Sequence, residues 1–446
     1  MSELNLSERL GQEKGKQSWT VAVYLGAMTD QGGPRGKMGS EDKFKRLEEL
    51  KEETKDSSVT IVADVLTEKG EDPLHPNLAK KTVIGGSYDV TRVVFHNGLE
   101  EVVSNAPSQG TAKNVSDLVG YANSHAPGAK MAVVLNLHGS GDQGASGGVP
   151  SPLEDQGAQP QQLADALYKT APEGKREKID LLDIDGCYGG QLGELNAFSK
   201  SARQMVASET LERTFTLSTG KDDDGQNLNN WLSQLMTHPE MDEHALAKLL
   251  VEQANKKMNA TVAEATPTLS HFDLENGLPA FDQALNRAGT ALADAMKHGR
   301  NKAVINSAID HLPNVAIESD GSTFNGAQSM RDLGEFLRAV EQKIKSGEIK
   351  DPAKKLSSAL GSLEQSLVDR NGLISAYHFV GSKPDPVDPN HLKFPPMHGL
   401  SVYLPDAEAR HGKVSDDQLR YLYQLETGTK NSGWKSFLES IVHVDD

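Results

Sequence analysis

Cysteine is the scarcest feature of this sequence, with one residue in 446. A lone thiol forms no internal disulfide and builds no cysteine-rich zinc site, so neither kind of staple is expected to hold the chain. Cations are also in short supply. The 46 Lys and Arg against 63 Asp and Glu give a formal charge of -17, and no stretch combines clustered cations with aromatics. Binding a phosphate backbone needs concentrated positive charge, so nucleic acid is not an expected partner. An acidic surface keeps a protein soluble and favours basic substrates over acidic ones. Long apolar runs are missing too, and the first 20 residues, MSELNLSERLGQEKGKQSWT, contain no apolar stretch of the kind a secretory signal needs. The expectation is a monomer with no membrane segment, cytoplasmic or exported by a route that uses no Sec signal.

What is present is an alternation of short β-branched runs with helical periodicity. Residues 19–26 (WTVAVYLG) and 58–65 (SVTIVADV) read as strands, and between them Phe44, Leu47 and Leu50 fall at helical spacing. The glycines of the intervening loop, residues 29–40, fit no phosphate-loop pattern. Runs at 82–85 and 88–95 around Gly86-Ser87 predict a hairpin. A helix over about 113–125 leads into the apolar strand 131–137, and a long loop rich in Gly, Ser, Pro and Gln fills 139–160. A helix near 161–170, strand 179–184, a helix near 190–200 and strand 204–207 follow. This order predicts a mostly parallel sheet covered on both faces. From about 228 the spacing turns helical, as in Leu246, Leu249 and Leu250 or Leu333, Phe336, Leu337, Val340 and Ile344. Strand character returns at 373–379 and 399–404. Ser415 and Gln418 form a capping box, and a last helix carries Trp434, Phe437, Leu438 and Ile441. The chain thus divides into a polar tail (1–18), an α/β core (19–227), a helical subdomain (228–370) and a segment of strands and helices that packs back on the core (371–446).

Two strand ends carry chemistry. The run MAVVLNL leads directly into His138-Gly139, and IDLLDI leads into Asp185-Gly186-Cys187. In an open parallel sheet, loops converge beyond the C-terminal strand ends, and one strand-helix-strand step separates these two. Adjacent strands would therefore deliver an imidazole and the sole thiol to one edge. A nearby imidazole or helix N-terminus favours the thiolate, and the imidazole can also protonate a leaving amine. Backbone N–H groups at Gly139 and Cys187 are candidates to bind an oxyanion.

An apolar strand ending in His-Gly, followed by one ending in Asp-x-Cys, resembles the signature of clan CD cysteine peptidases. The similarity to the clostripain family extends through WTVAVYLG, LHGSG, LLDIDGC, MVASE (205–209), TLSHFDL (268–274), RDLGEFLRAV (331–340) and HGLSVYLP (398–405), in the family's order. The resemblance implies a caspase-like α/β/α sandwich with a helical C-terminal addition, and a cysteine endopeptidase acting on protein or peptide substrates. It makes His138 and Cys187 the dyad and sets Asp185 at the floor of the pocket for the residue preceding the cut. Ser208 and Glu209 would line that pocket, which implies cleavage after Arg or Lys. Self-cleavage is implied at Lys175 or Arg176, because residues 139–168 hold no Lys or Arg. No cofactor is required by this chemistry, although some relatives use calcium. The sequence departs from the pattern at Asp142, at Tyr188-Gly189 and at the acidic insert 221–224.

Two other readings stay open. LHGSG also resembles the oxyanion loop of α/β-hydrolases, with a cysteine nucleophile and His378 or His398 as base, though Asp185 sits where that turn wants a small residue. The third is an inert caspase-like module that binds a partner.

Overall fold

The computed structural model describes residues 18–26, 50–68, 88–139, 145–146, 158–170, 176–210, 231–260, 268–315, 330–368, 372–379, 397–405, 407 and 432–441. A nine-stranded sheet runs through them in the order β14-β12-β11-β10-β5-β1-β2-β3-β4. Its strands are β1 (Trp19–Leu25), β2 (Val59–Glu68), β3 (Tyr88–His96), β4 (Leu99–Pro107), β5 (Lys130–Asn136), β10 (Ile179–Asp185), β11 (Ala202–Ala207), β12 (Thr268–Asp273) and β14 (Ile374–Phe379). The central pairs β11/β10, β10/β5, β5/β1 and β1/β2 are all parallel. The flanking pairs at both edges are antiparallel. Short two-stranded pairs are made by β6 (His138–Gly139) with β7 (Ala145–Ser146), β8 (Lys169–Thr170) with β9 (Arg176–Glu177), and β13 (Met330–Asp332) with β15 (Ser401–Tyr403).

The expected α/β/α sandwich is what forms. Strands covered on both faces read as near-continuous apolar runs, and every residue of β1 and β10 is buried. Alternate side chains of β1 enter two different cores, Ala22 and Tyr24 on one face, Val21 and Val23 on the other. Helices α1 (Thr111–His125), α2 (Pro160–Ala166) and α3 (Leu192–Phe198) cover the first face, together with α6 (Gly277–Met296), α7 (Gly299–Asp310), α8 (Leu333–Lys345), α9 (Ala353–Val368) and α10 (Ser432–Ile441). Helices α4 (Trp231–Thr237) and α5 (Glu243–Ala260) cover the second through Trp231, Leu232, Leu246 and Leu250.

Two departures from expectation stand out. The first is a hairpin between β3 and β4 that was not expected, turning through Asn97 and Gly98, both with positive φ (51° and 72°). Asn-Gly suits the tight turns that join twisted strands. The strand it serves was missed because LEEVVSNAP is an exposed edge strand with little apolar alternation to betray it. Residues 81–87, the loop 29–40, the acidic insert 221–224 and the capping box at 415–418 lie outside the described residues. The second departure is β12, a strand inside the stretch expected to be helical, which pairs antiparallel with β11 and so extends the main sheet.

Candidate active site

The parallel register decides what meets at the sheet's C-terminal rim. Asn136, the last residue of β5, is the registered partner of Asp185, the last residue of β10. The Leu137 amide donates to the Asp185 carbonyl (3.3 Å), so the pairing extends one residue past the strand end. The Asn136 side-chain amide reaches Asp185 Oδ2 at 3.4 Å, and Asp185 is buried. His138 and Cys187 each follow this pair by two residues. Neighbouring strands lie about 4.8 Å apart, so their backbones leave the sheet side by side. His138 and Gly139 open β6, whose partners are Ser146 and Ala145.

Cys187 is a thiol outside any disulfide, partly exposed. The turn behind it is tightly specified. Tyr188 takes a left-handed conformation (φ 63°) and is buried, and its N–H donates to the Thr210 carbonyl at 2.8 Å. The Gly190 N–H donates to the Ser208 carbonyl at 2.7 Å. A Cβ on Gly190 would lie 2.9 Å from the Glu209 amide nitrogen, so only glycine lets the turn press this closely on residues 208–210. From the other side, the Ser401 N–H donates to the Gly190 carbonyl at 3.1 Å. The Cys187 turn is thus gripped between the end of β11 and the start of β15.

The residues expected to line a substrate pocket lie on this grip. Ser208 is buried, with its hydroxyl 3.0 Å from that of Thr268 on β12. Glu209 is wholly buried, and its amide donates to Thr268 Oγ1 at 3.1 Å. Burial and the neighbouring Asp332 hold its carboxyl well above the usual carboxylate range. Of the two residues expected at a self-cleavage site, Arg176 is exposed in β9 and Lys175 lies outside the described residues. Of the histidines considered as alternative bases, His398 is engaged by Asp332 at 2.8 Å through Nδ1 and by Arg338 at 2.8 Å through Nε2. Its hydrogen bond with Asp332 raises its affinity for a proton.

Asp332 belongs to the surroundings of the site but was not singled out by sequence reasoning, and His398 was considered only as an alternative base. A local signal existed for Asp332, because Asp followed three residues later by Glu marks a helix start. Asp332 indeed caps α8, accepting the Glu335 N–H at 2.7 Å. Nothing local announces that it also faces Glu209.

No protein-family profile matches the chain, and no curated protein is detectably similar to it in sequence. Solved structures are similar in shape. A secreted C11 cysteine protease from Bacteroides thetaiotaomicron, in complex with an irreversible peptide inhibitor, superposes with a TM-score of 0.56 at 14% identity, covering 94% of this chain and 98% of that one. An inactive zymogen C11 protease from Parabacteroides distasonis gives 0.55 at 13% identity over the same shares of the two chains. The fold is that of the C11 cysteine proteases. A further secreted C11 protease from Bacteroides thetaiotaomicron, iotapain, agrees at a TM-score of 0.52 and 11% identity, again over 94% of this chain and 98% of that one. The C11 fold therefore spans nearly the whole length, including the helices and strands beyond residue 228, and it is the caspase-like, clostripain-type architecture that the ordered motifs implied.

Proposed function

We propose that the chain is a cysteine endopeptidase in which Cys187 is the nucleophile and His138 the acid-base group. The observation that carries this reading is the register of Asn136 with Asp185, from which both residues follow at the same distance along neighbouring strands. In the proposed reaction the Cys187 thiolate attacks the scissile carbonyl. The oxyanion is held by the backbone N–H groups of Gly139 and Cys187. His138 gives its proton to the departing amine, and water, deprotonated by the same imidazole, then hydrolyses the thioester. Nucleophile and acid-base group both come from the chain, so the scheme requires no cofactor. Any calcium dependence, as in some relatives, would appear as inhibition by a chelator.

Asp185, the family's pocket-floor position, supplies the negative charge for a basic residue before the cut, and Ser208 with Glu209 forms the adjoining wall. A buried carboxylate is costly without a counter-charge, which favours Arg or Lys there. That one of the C11 structures is an inactive zymogen fits activation by cleavage, proposed here at Lys175 or Arg176. Among the described residues no helix is long and apolar enough to cross a membrane, and two of the C11 structures are of secreted proteases. Both fit a peptidase that works on accessible protein or peptide substrates.

The test is cleavage of a peptide library by the wild type, with Cys187→Ala as the blank and His138→Ala beside it. Cleavage after Arg or Lys is expected, lost in Cys187→Ala and reduced by at least ~100-fold in His138→Ala, the usual worth of a general acid-base group. Full activity in His138→Ala would remove the dyad. The same samples on a gel should show a self-cleavage product ending at Lys175 or Arg176 that Cys187→Ala lacks.

A further inference from the structure

Four segments singled out by sequence, containing Glu209, Thr268 with Ser270, Asp332, and His398 with Gly399, come from distant parts of the chain and converge in one buried cluster beside the Cys187 turn. Glu209 and Asp332 are both buried, as are Thr268 and Ser270. Asp332 has well-formed partners. Its Oδ1 accepts from His398 Nδ1 (2.8 Å) and from the Glu335 N–H (2.7 Å), and its Oδ2 accepts from the His398 N–H (2.5 Å). Glu209 is different. Neither of its oxygens has a well-formed hydrogen bond, and the groups within reach are the Asp332 carboxyl and the Gly399 backbone N–H, whose pull toward the ionised form is outweighed by burial and Asp332. Two ionised carboxylates present only acceptors to each other, so no bond joins them and their repulsion is undamped by water. One proton turns the same contact into a short, strong hydrogen bond.

We propose that Glu209 and Asp332 share one proton in a buried carboxyl pair, and that this pair locks the wall of the Cys187 turn, making both residues positioning residues for the nucleophile. The linkage is short on either side. The immediate neighbours of Glu209, Ser208 and Thr210, accept the N–H groups of Gly190 and Tyr188, and Ser401, three residues after His398, donates to Gly190. Opening the Glu209–Asp332 contact therefore loosens both jaws of the grip at once. The proton sits on Glu209, because Asp332 is the carboxyl already supplied with three donors. Glu209 then contributes wall rather than charge to the substrate pocket, leaving the charge to Asp185.

The sign of the pH effect follows. A carboxyl whose affinity for a proton is raised by folding contributes stability that is fully present below its unfolded value, near 4.5, and is lost as pH rises through its folded value. The other titratable groups facing the pair are Tyr377 on β14, whose ionisation is opposed by burial and by both carboxyls, and His398, with Glu335 and Arg338 on α8 behind it. Glu209→Gln removes the titrating group while leaving these in place. The amide donates permanently to Asp332 and so mimics the protonated acid.

The experiment compares full-length wild type and Glu209→Gln from pH 5 to pH 9 by thermal unfolding and by the rate of Cys187 alkylation with iodoacetamide. The wild-type Tm is expected to fall with rising pH relative to Glu209→Gln, by about 1.5 °C per unit by which the folded value exceeds the ordinary one. Thiol ionisation cancels in the ratio of alkylation rates. That ratio, wild type over variant, should climb several-fold with pH as the lock opens and uncovers the half-buried sulfur. Asp332→Asn keeps the helix cap and also offers Glu209 a donor, so it should flatten the Tm profile in the same way and decides the matter if Glu209→Gln does not fold. Superimposable Tm profiles would overturn the shared proton, and a pH-independent alkylation ratio would overturn the positioning role. The proposal concerns the site read above as catalytic, yet neither readout requires peptidase activity, so failure of the lock and failure of that reading are told apart.

Discussion

Cys187 was legible as a candidate because it is the chain's sole thiol and directly follows an apolar strand. Its surroundings were not legible in the same way. Gly190 looks in sequence like one of many glycines. In the fold it is the point where the Cys187 turn meets the backbone of Glu209, with no room for a methyl group. Gly190→Ala is accordingly expected to cost about 1–3 kcal/mol, the scale of a forced overpacking, because the obstructing atoms are backbone and cannot swing aside. Thermal unfolding measures that cost. The rate of Cys187 alkylation, followed alongside, should also change, since the residue that must give way belongs to the turn carrying the thiol. An unchanged Tm and rate would mean that residues 208–210 are not the rigid wall described here. The role of Asp332 stayed hidden for a different reason. A buried polar group is recognisable by what it faces, and its partners Glu209 and His398 are distant in the chain.

At the level of elements, strands with two buried faces and helices with a sustained apolar stripe were read correctly, since each displays a complete period within its own residues. The final helix is an example. Trp434, Phe437, Leu438 and Ile441 were expected on one face, and all four are buried in α10. The sequence could not say what they meet. Trp434 meets Phe336 of α8 edge to face and Phe437 stacks on it, with ring centroids 6.4 and 5.7 Å away, and the backbone at Trp434 lies directly against Gly289 of α6. Trp434→Ala should therefore destabilise the protein by about 3–5 kcal/mol, the range for deleting a large buried aromatic, as read by chemical denaturation. A loss under 1 kcal/mol would show α10 to be loosely docked. The two strands of the main sheet that were missed, β4 and β12, share a cause. One is an exposed edge with mixed polarity and the other is a six-residue run amid longer helices, so neither carries a period of its own.

For the molecule as a whole, the sheet is finished by strands drawn from the later half of the chain. Strand β12 extends β11, β14 extends β12, and Leu246 and Leu250 of α5 share a core with Val21 and Val23 of β1. Residues 19–227 and 228–370 therefore complete one another's buried faces, and calorimetry of the full-length protein should show a single cooperative transition. Two separated transitions would make them independent folding units. The sequence by itself determined the class of fold, the parallel centre of the sheet and the two strand ends that bear His138 and Cys187, because periodicity and strand-end position are properties of short contiguous stretches. Only the tertiary structure decided that Glu209 would face Asp332, that His398 would hold Asp332, and that β12 would join the main sheet. Those outcomes depend on which distant segments come to share a surface, and hydrophobic burial selects such pairings through the sum of many weak contacts that no single stretch of sequence contains.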